Sequence, residues 1–379
     1  MEIQYPRPKA RSNEPSTDQP KDPNRFRRAN STYEEAIVQD TIIQQAVETE
    51  LQNILTIARA LSSRKWKRVY ILGCGDSWFA GLGIRLAFER ILGVPTEAMQ
   101  ALDYALYYHE TSDSDTLVIG ISSGGNTPAV MQALQQARAA GAMVIGVTNN
   151  ENTPITQEFE HSIYVRATRK GWPTQASTAS MAVLIRLAIE LSKASSSVST
   201  DNALALQKQM ETFPEIISKT IQMTDPLMKA MAKTLAQARF LFFCGGGPNF
   251  AAAAFGAAKV KELCPIHATA IPLEEFHHYR SLKPGDPLIL VAPDHNSHSR
   301  ALDTAEVGRY DGGLIFALVS DGEKEISDVV KSAVHLPAVD PLLAPILYSI
   351  PLHLLAYHLS MEKFNLELGF TPAFPDSGK

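Results

Sequence analysis

The sequence predicts an α/β chain of two tandem, doubly wound parallel-sheet domains with helical flanks at both ends, and three observations predict it. The 379 residues are two to three times the length of a typical domain. Short, continuously apolar runs alternate with helical stretches, the pattern of strands buried on both faces of a parallel sheet. Those runs also recur at an offset of about 170 residues. Val69 to Ser77 answers Phe240 to Pro248, Thr116 to Ser122 answers Pro287 to Pro293, and Ala142 to Thr148 answers Gly313 to Val319, with Cys74 matched to Cys244.

Taken in order, residues 1–30 are charged and proline-rich, without the apolar stretch of a secretory signal, and read as a flexible tail. Residues 31–198 hold a long helix over 31–65 and the first domain. Within it one helix is well punctuated: Thr127 as cap, Pro128 in the first turn, Val130, Leu134 and Ala137 on one face, Gly141 at the end. The polar run Gln175 to Ser180 precedes an apolar helix, Met181 to Leu191. Residues 199–238, with Met210, Phe213 and Ile216, read as a helical linker. The second domain spans 239–363, with a helix from Ala251 to Leu263 and a last helix from about Pro341 to Lys363, and 364–379 form a tail.

Composition narrows the function. Thirty-five Lys and Arg against 40 Asp and Glu leave a net charge of −5, which argues against nucleic acid as a partner. The apolar run from Leu342 to Leu359 contains Pro345, Pro351, His353 and His358, so a buried helix is expected and no membrane span. Cys74, Cys244 and Cys264 are too few and too scattered for a disulfide framework or a thiolate metal site, and a reducing cytoplasm fits best.

In doubly wound sheets ligands bind beyond the carboxyl ends of the strands. The loop Gly73 to Ser77 offers a tight turn with Ser77 opening a helix. Ser122-Ser-Gly-Gly-Asn-Thr127 joins a strand to a helix whose start combines hydroxyls with orphan backbone N–H groups, a constellation that suits a phosphate monoester. It has neither the lysine of a Walker loop nor dinucleotide spacing. In the second half Lys259 and Glu262 share a helix face, and His278 follows in the cluster Glu274 to Arg280; a carboxylate and an imidazole converging on one sugar suffice for general acid–base transfer. A solvated ion pair is the alternative reading of the same spacing. Asp294-His-Asn-Ser-His298 lacks a defined ligand geometry, so no metal is expected there.

From about Ala36 to Lys363 the chain resembles the sugar isomerase (SIS) family, whose domains are flavodoxin-like. It is similar in particular to the tandem isomerase half of glutamine:fructose-6-phosphate aminotransferase, amino-sugar-phosphate deaminase/isomerases and fructosamine-6-phosphate deglycases. The residues that carry the resemblance are Cys74-Gly-Asp-Ser77, Ser122 to Thr127, Ala176-Ser-Thr178, Ala258 to Leu263 with His278, and Ala344 to His358. The resemblance implies that Ser77, Ser122, Ser123, Gly124 and Thr127 hold the phosphate and nearby hydroxyls, and that Ser177 and Thr178 contact the sugar. It implies Glu262 as the acid/base between C1 and C2, Lys259 as a group positioning a hydroxyl, and His278 as an aid to ring opening that reaches the site across a homodimer. No cofactor or metal is called for.

Several positions depart from the family pattern. Gly124 replaces a third serine, Tyr279-Arg280 follow the histidine in place of Gly-Pro, and only Lys379 stands where the aminotransferase closes its site with a lysine. A glutaminase half is not expected, so a deaminase, deglycase or isomerase is the expected activity. The alternative is a non-catalytic phosphosugar sensor, which retention of Lys259, Glu262 and His278 disfavours.

Overall fold

The structure, a computed structural model, describes residues 23–195, 200–264, 266–279, 282–293 and 296–366. Two helices, α1 (Pro23–Ala36) and α2 (Gln39–Ala60), precede the first sheet. That sheet and its helices follow as β1 (Arg68–Gly73), α3 (Asp76–Leu92), β2 (Thr96–Gln100), the short α4 (Ala101–Asp103), β3 (Thr116–Ile121), α5 (Pro128–Ala139), β4 (Met143–Thr148), α6 (Pro154–Glu158) and β5 (Ser162–Tyr164). Next come α7 (Gln175–Ser195) and α8 (Thr200–Leu235). The second sheet contributes β6 (Phe240–Gly245), α9 (Asn249–Leu263), β7 (His267–Pro272), β8 (Pro287–Ala292), α10 (His298–Tyr310), β9 (Leu314–Ser320), α11 (Glu325–Val329) and β10 (Ser332–Leu336), and α12 (Ala344–Asn365) follows it.

Both sheets are parallel and share one topology, β2-β1-β3-β4-β5 and β7-β6-β8-β9-β10. The chain therefore reverses its winding between β1 and β3, and between β6 and β8, and opens a crevice at each reversal. Side-chain alternation along the strands divides the interior. Val69, Ile71, Leu117 and Ile119 face one large core, which also takes Leu241, Phe243, Ile289 and Val291 from the second sheet and most of α7 and α12. Their neighbours Tyr70, Leu72 and Val118 pack outward under α5, while Leu288, Leu290 and Ala317 pack outward under α10. One continuous core thus joins the two sheets, which makes the groups between them part of a fixed geometry.

Helices α3 and α9 meet in that shared layer. A Cβ on Gly83 would lie 3.3 Å from that of Ala251 and 3.2 Å from Pro345, so the close approach of α3 depends on the missing side chain. Asp76 at the start of α3 meets Lys259 near the end of α9, so the two helices run antiparallel along their contact.

The structure corrects several expectations. The tail expected over 1–30 is helical from Pro23, because Ala29 and Arg25 are buried and Arg28 stacks 4.4 Å from the Trp172 ring; residues 1–22 lie outside the described residues. The helix expected over 31–65 is two helices that part at Ile37 and Val38. The run Gln175 to Ser180 forms the first turns of α7 itself. The expected linker α8 buries Phe213, Ile217 and Met228 in the common core. Cys74 and Cys244 are not counterparts: Cys74 follows its strand, whereas Cys244 lies inside β6, and the matching turn residues are Gly75 and Gly247, with φ of 55° and 54°. Among the described residues, no helix is long and apolar enough to cross a membrane.

Candidate active site

The loop between β3 and α5 is held from behind by its own polar groups. Ser122 is buried; its Oγ accepts from the Thr127 backbone N–H at 3.3 Å and lies 2.8 Å from Thr127 Oγ1. If Ser122 donates to Thr127, the Thr127 hydroxyl proton is left to point outward. Ser123 Oγ accepts from Asn149 Nδ2 at 2.9 Å, which likewise leaves the serine proton for a ligand. Gly125 sits at φ 70° with Thr153 against the position a Cβ would occupy, so the turn requires glycine. Pro128 begins α5 as expected, but Thr127 does not cap the helix with its side chain; its hydroxyl is engaged by Ser122. The orphan donors at that terminus remain for an anion.

This loop forms one wall of a cleft of about 470 Å³ at the β1/β3 reversal. Ser77, Ser123, Gly124, Thr127 and Ser177 line it from the first domain, and Glu262 and Lys261 from the second. The far wall, residues 165–174, is tied down by α1. Glu35 accepts from Thr168 Oγ1, Lys170 N and Gly171 N at 3.0, 2.7 and 3.1 Å, and Thr32 Oγ1 accepts from Trp172 N at 2.8 Å. Arg169 and Pro173 of that segment reach the cleft.

The same cleft borders an ionic cluster that spans both domains. Lys259 is wholly buried, with Nζ 2.6 Å from Asp76 Oδ2 and also bonded to Glu262 Oε2. Burial opposes its charge, but the two carboxylates outweigh burial and raise its pKa. Glu262 keeps 34% of its side chain exposed and faces the cleft. Its pKa is raised: desolvation is the leading cause, the Lys259 ammonium opposes it, and the Asp76 carboxylate adds to it. A carboxyl group so placed can hold a proton closer to neutrality than an ordinary glutamate, as an acid–base catalyst must.

Of the residues expected at the site, the structure brings Ser77, Ser123, Gly124, Thr127, Ser177 and Glu262 around one cleft. Ser122 stands behind Thr127. Thr178 turns away, its hydroxyl donating to Gln39 Oε1 of α2 at 2.8 Å. Lys259, expected to position a sugar hydroxyl, is enclosed by its two carboxylates and holds Glu262 instead. His278 is 59% exposed, 3.5 Å from Glu274, and does not line the cleft of its own chain. Arg280, Asp294, His295 and Lys379 lie outside the described residues. Sequence reasoning gave no role to Asp76, Arg169 or Lys261, although Asp76 adjoins Ser77 and Lys261 adjoins Glu262. Cys74 also lines the cleft, and burial pushes its thiol up, away from a nucleophile's range.

The SIS domain family matches residues 63–190 and 234–363, one match for each sheet. Glutamine–fructose-6-phosphate aminotransferase (isomerizing) of Thermus thermophilus is 30% identical over 316 residues, 82% of this chain and 52% of that protein. The chain thus spans about half the length of the curated relatives it matches. Among solved structures, the C-terminal domain of the Francisella tularensis glucosamine-fructose-6-phosphate aminotransferase superposes with a TM-score of 0.77 at 21% identity, covering 88% of this chain and 94% of that one. Glucosamine-6-phosphate deaminase of Thermotoga maritima superposes at 0.63 with 18% identity, covering 88% and 94%. At those identities the structural likeness establishes the shared fold.

Proposed function

The chain belongs to the SIS domain family, and from that premise we propose that it is an enzyme acting on a phosphorylated amino sugar or fructosamine, as a deaminase, deglycase or aldose–ketose isomerase. One observation carries the reading: a hydroxyl-bearing loop and a carboxyl group of raised pKa line a single cleft. The phosphate is read onto Ser77 at the start of α3 and onto Ser123 and Thr127 in the loop before α5, which leaves the open-chain carbons toward Glu262. A relative named glutamine–fructose-6-phosphate aminotransferase and a structural neighbour named glucosamine-6-phosphate deaminase support this substrate class.

Glu262 moves a proton between C1 and C2. With an amine on C2, it takes the C2 proton and returns it to C1; the resulting imine hydrolyses to a ketose phosphate and ammonia. With an amine on C1, the proton moves from C1 to C2, and hydrolysis gives an aldose phosphate and the free amine. One carboxyl group on one face of the sugar serves both directions, and neither changes the oxidation state of a cofactor. His278 of the partner subunit is assigned to ring opening, supported by its exposure and its distance from its own cleft. A homodimer follows from that assignment.

Incubation with glucosamine-6-phosphate, galactosamine-6-phosphate and fructose-6-phosphate adducts of amino acids, following ammonia, free amine and sugar phosphate, tests the proposal. Turnover of one class, abolished by Glu262→Gln, is expected. Absence of turnover on all of them, or full activity of Glu262→Gln, overturns it; binding without turnover favours a sensor.

A further inference from the structure

The lysine between the domains has two carboxylates and no exposure to water. Lys259 and Glu262 belong to one helix, three residues apart, and would form a simple ion pair by themselves. Asp76 enters from the other domain, at the first turn of α3, where the helix terminus favours negative charge. With Asp76 at 2.6 Å, one ammonium serves two carboxylates, and the three side chains together carry a net charge of −1 when all are ionised. Among the described residues, the other charged or titratable groups near Glu262 are Arg25 and Arg28 of α1, with Arg25 Nη2 3.3 Å from the Glu262 carbonyl oxygen, and Arg169, Lys261 and Cys74 around the cleft. On the buried side α12 presents His353 toward Lys259.

We propose that Asp76 is a positioning residue for proton transfer: by holding Lys259 from the opposite domain, it denies Glu262 an exclusive counter-charge and keeps Glu262 able to take up and release a proton. Asp76 does not act on substrate in this scheme; it acts through Lys259. The same bond fixes the end of α9 against the start of α3, so that the carboxyl group keeps its place in the cleft that the anion loop also lines. Because α3 and α9 run antiparallel, the start of α3 lies beside Lys259, which is where Asp76 reaches it. The inference rests on the acid–base reading of Glu262 given above.

The test reads the carboxyl group directly, without any substrate. Protein labelled with carbon-13 at the glutamate carboxyl is titrated by NMR, and the Glu262 signal is assigned by its loss in Glu262→Gln. In Asp76→Asn the Glu262 midpoint falls by about one pH unit, because a like charge is removed and Lys259 turns wholly to Glu262. Asp76→Thr, which keeps an oxygen for Lys259, gives the same direction if the Asn variant misfolds, and Asp76→Glu restores the wild-type midpoint. An unchanged or raised midpoint in the neutral variants overturns the proposal. Where wild-type turnover is found, the acid limb of its kcat profile moves down by the same amount, while KM stays within about twofold. A wild type without turnover refutes the proposed activity and leaves the NMR result standing as the test of Asp76.

Discussion

The two sheets share one topology, yet the loops at their winding reversals have opposite endowments. After β3 the first domain places Ser122-Ser-Gly-Gly-Asn-Thr127, its hydroxyls ordered by Asn149 and by one another. After β8 the second domain places Pro293-Asp-His-Asn-Ser297, one residue shorter and without a glycine. What the second domain brings to the cleft comes instead from the end of α9, where Lys259 and Glu262 face the first domain. In the proposed function, a duplicated fold divides one site between its copies, one holding the anion and the other moving the proton, with a continuous core fixing their relation. The shared layer of α3, α7, α9 and α12 provides that core.

The sharpest way to break the comparison is to neutralise the second domain's contribution alone. Glu262→Gln is expected to lower kcat about a thousandfold while leaving sugar-phosphate affinity nearly unchanged. Steady-state kinetics and calorimetry separate the two, and a loss confined to affinity would assign Glu262 to binding.

A second difference lies behind the site. α12 carries His353, buried beside Lys259 with neither ring nitrogen hydrogen-bonded among the described residues, and its pKa is lowered to about 3. The middle of α7 is instead apolar, with Val183, Leu184 and Ile185 buried in the common core. Above pH 6.5 the ring is neutral in both folded and unfolded chains. Below it the unfolded chain takes up a proton that the folded chain refuses down to about pH 3, so stability falls with pH by about 1.4 kcal/mol per pH unit. His353→Leu should recover about 2 kcal/mol at pH 5 relative to its effect at pH 7.5, as measured by urea unfolding. An equal effect at both pH values would refute a buried neutral ring.

The smallest effect sharpens the comparison at the loops themselves. Thr127→Val should weaken binding of a sugar phosphate about tenfold, since it removes one donor to an anion. Ser297→Ala, at the matching place in the second domain, should change it less than twofold. Equal losses from the two variants would mean that both loops bind phosphate.

The central strands were legible because β1, β3, β4, β6, β8 and β9 are short, continuous apolar runs. The edge strands were not: β2, β7 and β10 are partly exposed and carry polar residues such as Thr96, Glu97 and His335, and β5 is only three residues long. At the site, the loop Ser122 to Thr127 was legible from local pattern, because strand ends and helix starts are local facts; the spacing of Lys259 and Glu262 left a solvated ion pair open, and Ser177 was expected only through the family resemblance. The burial of Lys259, the turn of Thr178 toward Gln39 and the reach of Asp76 are consequences of how helices pack across domains, which no local spacing encodes. Glu35 and Thr32 escaped notice for the same reason: α1 lies far in sequence from the segment it straps.

A crystal structure with glucosamine-6-phosphate or fructose-6-phosphate bound tests the division of labour most directly. The account predicts the phosphate on Ser77, Ser123 and Thr127, with C1 and C2 of the open chain within reach of the Glu262 carboxyl group. A phosphate on the loop before α10, or a sugar whose C1 and C2 point away from Glu262, would contradict it.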